Sequence, residues 1–100
     1  MYILLPLDST NLDEAKLTKL DDVQIWTQLL VDGGEIVETK FEKNWENFEL
    51  PSDYVVVGDD GEYVWPFMEY NIAVLVAHTQ RYVEDILEAY LFKELHEIAY

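Results

Sequence analysis

Three carboxylates stand where apolar runs end. Asp8 follows Tyr2-Ile3-Leu4-Leu5-Pro6-Leu7, and Asp59 and Asp60 follow Tyr54-Val55-Val56-Val57-Gly58. Carboxylate oxygens brought to one point hold hard cations such as Mg²⁺ or Ca²⁺, and a two-ion version of such a site would serve phosphodiester hydrolysis. The plainer reading is that Asp8 closes a strand while Asp59 and Asp60, between Gly58 and Gly61, make a turn. Softer metal chemistry has little to work with. The chain has no cysteine and two histidines, His78 and His96, whereas iron-sulfur clusters need thiolate or imidazole donors. His78 is expected at the end of a strand and His96 on a terminal helix, both places where a lone histidine is usually a surface or capping residue.

The elements that position these residues divide the chain in two. In the second half, the β-branched run Tyr54–Val57 stops at Gly58-Asp59-Asp60-Gly61 and suits a buried strand. Tyr63, Val64, Phe67, Met68 and Tyr70 then recur at helical spacing, with Pro66 in the first turn and Asn71 where a left-handed residue would end the helix. A second buried strand, Ile72-Ala73-Val74-Leu75-Val76-Ala77, leads to Thr79 as N-cap of a helix beginning near Gln80. In that helix Val83, Ile86, Leu87, Tyr90 and Leu91 form one apolar stripe, and Arg81, Glu84, Asp85 and Glu88 fall on the opposite face. Continuous apolar strands alternating with amphipathic helices imply a parallel sheet covered by helices.

The first half has strands and turns but little helix. Tyr2–Leu7 suits an inner strand with Pro6 at its end. Residues 23–31 and 35–42 are predicted strands joined by a hairpin at Asp32-Gly33-Gly34, where glycine tolerates the positive φ of a tight turn. Residues 11–20 fit either a loop or a short helix. Around Trp45 a short helical turn or connection is expected, ending before Pro51.

Composition sets further bounds. One hundred residues, half of them hydrophobic and 14% aromatic, form one domain with a real core and need no disulfides. The opening residues lack the positive flank of a signal peptide, and no apolar run approaches the roughly 18 residues of a membrane span, so a cytoplasmic protein is the expectation. The net charge is −15, from eleven acids against four bases up to residue 50 and ten against two beyond it. An even acidic surface repels phosphate backbones and anionic membranes, which argues against nucleic acid and lipid. It fits either a highly soluble surface or an acidic docking face for a basic protein. Tyr63, Trp65, Phe67 and Tyr70 crowd the region after Val57. Most suit helix-sheet packing, while Trp65 above all could mark contact with another protein or a second copy.

The order of these motifs resembles the nitrogenase accessory-factor family, the dinitrogenase iron-molybdenum cofactor biosynthesis domains typified by NifX, NifY and the C-terminal part of NifB. The resemblance runs over nearly the whole chain. It rests on Pro6-Leu7-Asp8, the turn from Asp32 through Gly33-Gly34-Glu35-Ile36-Val37-Glu38, the strand and glycine loop Val55 to Gly61, and the closing segment Val83 to Leu91 with Glu94-Leu95 after it. It implies an α/β, three-layer, ribonuclease H-like fold with a mixed five-stranded sheet of order 3-2-1-4-5, strand two antiparallel. That order would bring Asp8 near Asp59 and Asp60 at the topological switch point. It also implies that an iron-molybdenum or iron-sulfur cofactor is handled by the loops at Lys19, Asp21 and Asp22 and at Gly58 and Gly61. Family members that hold a cluster carry His-Phe-Gly-Arg just before the second strand. Here the run is Lys19-Leu20-Asp21-Asp22, so Lys19 replaces the histidine and two aspartates replace the Gly-Arg pair. The resulting expectation is a non-enzymatic metallocofactor carrier or accessory protein, degenerate at its cluster site. The alternatives are a protein-interaction or regulatory module on the same fold and, third, a divalent-metal phosphodiesterase.

Overall fold

The first strand is the centre of the sheet. In the computed structural model, which describes residues 1–98, β1 (Tyr2–Leu7) pairs antiparallel with β2 (Ile25–Asp32) and parallel with β4 (Tyr54–Val57). A strand with neighbours on both edges and cover on both faces has no wet position. This is why Ile3 to Leu7 are apolar without alternation, and all five are buried. Pairing with β4 stops at Leu4 opposite Val55, so Pro6, which has no N–H to give, lies beyond it.

β3 (Glu35–Glu42) is joined to β2 by the expected hairpin. Gly33 and Gly34 there have φ of 60° and 82°, left-handed values that only glycine adopts at little cost. β5 (Ala73–Val76) lies parallel to β4. The order 3-2-1-4-5 is therefore present, but the sheet has six strands and not five: β6 (His96–Ile98) runs antiparallel to β5, giving β3-β2-β1-β4-β5-β6. His96 accordingly opens a strand and is not on a helix.

The physical reason is the end of α2 (Val83–Leu91). Glu94 N–H donates to the Ala89 carbonyl at 2.8 Å and Lys93 N–H to the Tyr90 carbonyl at 3.1 Å, the paired bonds of a Schellman turn. Lys93 takes the left-handed conformation, with φ of 57°. The chain reverses there and returns along β5. α1 (Trp65–Glu69) ends the same way, with Asn71 at φ 59° as its residue type predicts and Pro66 in its first turn.

The two helices cover opposite faces. Ile3, Leu5 and Leu7 share a core with Val83 and Ile86 of α2, while Leu4, Val55 and Val57 share one with Phe67 of α1. The helices are shorter than the periodicity predicts. α1 begins at Trp65, and α2 begins at Val83 with Tyr82 at its N-cap position and no side-chain cap, so Thr79 does not cap it. Leu91, at the end of the apolar stripe, is exposed. Residues 11–20 form turns and two isolated bridges, Leu7 with Leu17 and Lys16 with Tyr82, followed by one 3₁₀ turn at Leu20–Asp22. A second 3₁₀ turn, Trp45–Asn47, is capped by the Asn44 side chain, which accepts Glu46 N–H at 3.0 Å. No helix among the described residues is long and apolar enough to cross a membrane.

Candidate functional site

A cleft of about 750 Å³ opens at the carboxyl ends of the central strands, where open α/β sheets bind ligands, and its volume suits a small molecule. Three loops frame it. The loop after β1 supplies Lys19 and Asp21, the loop after β4 supplies Gly58, Asp59, Gly61 and Glu62, and the loop after β5 supplies Arg81. Trp26, Trp45 and Phe67 form the apolar wall. They are held by one another: the Phe67 ring centroid lies 4.8 Å from that of Trp45 and 5.8 Å from that of Trp26, within the range of favourable aromatic pairs.

The backbone that carries Lys19 is fixed by β1 and by the β5 loop. Asp8 N–H donates to the Lys16 carbonyl at 3.2 Å, Leu17 N–H to that of Arg81 at 2.7 Å, and Thr18 N–H to that of Pro6 at 2.9 Å. Beyond them, Leu20 N–H reaches both carboxylate oxygens of Glu62, at 3.1 and 3.3 Å. Glu62 thus ties the β4 loop to the β1 loop across the cleft. Asp59 shapes its own turn, its Oδ1 accepting Gly61 N–H at 2.8 Å. That bond favours the carboxylate and holds the Asp59 pKa below its ordinary value. A hydrogen bond with Asp60 and the charges of His78 and Lys19 act in the same direction.

Arg81 is fastened to backbone. Its Nη1 donates to the carbonyls of Ala77 and Gln80, both at 2.8 Å, and its Nη2 to that of His78 at 3.3 Å. The guanidinium lies over Gly58, where a Cβ would stand 3.4 Å from Cζ.

Of the residues the sequence singles out, Lys19, Asp21, Gly58, Gly61 and Asp59 meet at this cleft, whereas Asp22, Asp60 and Asp8 are not in its lining. Asp8 turns its carboxylate to Lys16 N–H at 2.8 Å. Among the described residues no group of three or more histidine or carboxylate side chains is placed to hold a metal ion, so the expected meeting of Asp8 with Asp59 and Asp60 does not form one. Like charges gathered there would raise one another's pKa. For Asp59 the sign is reversed, because a backbone donor sits on it. Sequence reasoning missed Glu62, Trp26, Trp45 and Arg81. Arg81 was placed on the wet face of a helix starting near Gln80; the helix starts later, so the residue belongs to a loop and the periodic argument does not apply to it.

An iron-sulfur or iron-molybdenum cluster does not fit this lining as a ligated group. The side chains present are carboxylate, amine, guanidinium, hydroxyl, aliphatic and aromatic, the chain has no thiol, and neither histidine lines the cleft.

The sequence matches no protein family model and no curated protein. Its fold is shared with solved structures. A protein from Methanocaldococcus jannaschii described as a candidate dinitrogenase superposes with a TM-score of 0.77 at 17% identity, over 99% of this chain and 95% of that one. The protein PH0822 superposes with a TM-score of 0.70 at 14% identity, over 98% and 96%.

Proposed function

We propose that this chain is a small, non-enzymatic accessory protein of the nitrogenase-related kind, ribonuclease H-like in fold and working in the cytoplasm. Its cleft receives a metallocofactor-sized guest without ligating the iron. The observation that carries this reading is the convergence of Lys19, Asp21, Gly58 and Gly61. These positions come from two loops far apart in the chain, the loops in which the resemblance implies cofactor handling, and they line one cleft. The full-length likeness to the candidate dinitrogenase supports it. Because the lining offers iron neither thiolate nor imidazole, the guest is held by charge, hydrogen bonds and aromatic contact, and exchanges readily.

A second reading, a protein-interaction module on the same fold, is favoured by the exposed aromatic residues after β4: Tyr63, which lines the cleft, Trp65 and Tyr70 are 74%, 50% and 60% exposed, a group large enough to mark a contact surface. The phosphodiesterase reading finds no metal-holding group of carboxylates among the described residues to support it.

Anaerobic titration with isolated iron-molybdenum cofactor separates the first two. Trp26 and Trp45 lie in the cleft and report on it, so a carrier shows saturable quenching of tryptophan fluorescence, with little cofactor co-eluting on gel filtration. Absence of quenching favours the interaction module. Stoichiometric co-elution that is lost on changing His78 or His96 would show that the ligand lies elsewhere.

A further inference from the structure

We infer that the cleft holds its guest by an anionic group, of the carboxylate or phosphate class, seated on the Arg81 guanidinium. This rests on the cleft reading above and adds what the cleft selects.

Three observations point there. First, the guanidinium is already immobilised. Its Nη1 and Nη2 are bonded to the carbonyls of Ala77, Gln80 and His78, while Nε–H has no partner among the described residues. Nε–H and the Nη2 beside it form one edge of the planar fork, the geometry that grips a carboxylate or phosphate through two parallel bonds. A side chain fixed beforehand loses little conformational entropy when it binds.

Second, no acid among the described residues neutralises it. The chain has 21 acidic residues and 6 basic ones, so any guanidinium has many possible partners, yet the ion pair among the described residues is Lys40 with Glu38. Two of the three acids in the lining are used otherwise: Glu62 accepts Leu20 N–H and Asp59 accepts Gly61 N–H, while the third, Asp21, makes no ion pair with Arg81 among the described residues. Third, the guanidinium lies directly over the backbone of residue 58, which has no side chain to hold it off: a Cβ there would stand 3.4 Å from Cζ. Lys19 in the lining adds a second cation from the β1 loop, and the surrounding aromatic wall excludes water from part of the site, which strengthens a charged contact.

The opposing effect is the net charge of −15, which repels any anion at long range. At an ionic strength of about 0.15 M the Debye length is about 8 Å, so this repulsion is largely screened while a contact inside the cleft persists.

The test is a fluorescence titration with citrate and, separately, with inorganic phosphate, the ionic strength kept constant with NaCl. The parent should respond saturably to at least one, and the one preferred identifies the anion class. Arg81→Lys, which keeps the charge and loses the fork, should bind several-fold more weakly, and Arg81→Gln at least tenfold more weakly. Since Arg81 also ties three carbonyls, Arg81→Gln could loosen its loop. Gly58→Val keeps the Arg81 side chain itself and sets a branched side chain against the guanidinium, 3.4 Å from Cζ and Nη2 at its Cβ, and it should weaken binding comparably. Lys40→Gln, outside the cleft, should bind like the parent, with circular dichroism and melting confirming that each variant is folded.

No saturable response to either anion, or folded Arg81→Lys and Gly58→Val proteins that bind like the parent, would overturn the inference. The two readings fail separately. Cofactor quenching that survives in Arg81→Lys and Gly58→Val leaves the carrier and removes the anion seat, whereas Arg81-dependent citrate binding without cofactor quenching leaves the seat and removes the carrier.

Discussion

Asp59 shows how one backbone bond sets the behaviour of a carboxylate. Its Oδ1 receives Gly61 N–H at 2.8 Å, and a donor aimed at the charged form lowers the pKa more than the loss of surrounding water raises it. The folded-state value therefore lies below the ordinary 3.8. A depressed carboxylate adds stability that is fully present above its unfolded pKa and is lost as pH falls through the lower, folded one. An NMR titration of the side-chain carboxyl should place the Asp59 midpoint below 3.8, and Asp59→Asn, which keeps the accepting oxygen, should no longer share this acid-side loss. A midpoint at or above the ordinary value would mean that the Gly61 bond is not formed. The turn itself was legible, since Gly58-Asp59-Asp60-Gly61 has turn chemistry throughout. Which donor the carboxylate would face was not, because Asp8 and Asp59 each find a nearby N–H before they find one another.

Between elements, the decisive residues are those that reverse the chain. The hairpin at Gly33-Gly34 and the stop at Asn71 could be read from residue type, since glycine and asparagine accept a left-handed backbone. Lys93 could not: nothing in a lysine announces φ of 57°. The Schellman turn it closes is what makes β6, so the sixth strand and the place of His96 were hidden together. A non-glycine residue held left-handed costs about 1–2 kcal/mol, partly offset by the greater unfolded-state entropy of glycine. Lys93→Gly should thus stabilise the fold by about 0.5–1 kcal/mol, a rise of a few degrees in melting temperature, and Lys93→Ala should give no such rise. A melting temperature that stays level or falls in the glycine variant would mean that the turn is unstrained. The central place of β1, by contrast, was written in its unbroken apolar run.

At the scale of the whole molecule the governing quantity is charge, which is read directly from composition. Twenty-one acids stand against six bases, and the ion pair among the described residues joins Lys40 to Glu38 at 3.3 Å with both side chains well exposed. Exposed pairs of this kind contribute at most about 1 kcal/mol, so salt has little attraction to weaken and much repulsion to screen. Melting temperature should therefore rise steadily as NaCl is raised from about 10 mM to about 0.5 M, a range over which the Debye length shrinks from roughly 30 Å to a few ångströms. A fall would show that attractive pairs dominate the surface. The same experiment decides between screening and a cation site. Asp8 is bonded to Lys16 N–H and not gathered with Asp59 and Asp60, so MgCl₂ at matched ionic strength should do no more than NaCl, for the parent and for Asp59→Asn combined with Asp60→Asn alike. A Mg²⁺-specific rise in the parent that disappears in the double variant would instead show the two loop aspartates holding a divalent ion, which would stabilise the native state by mass action.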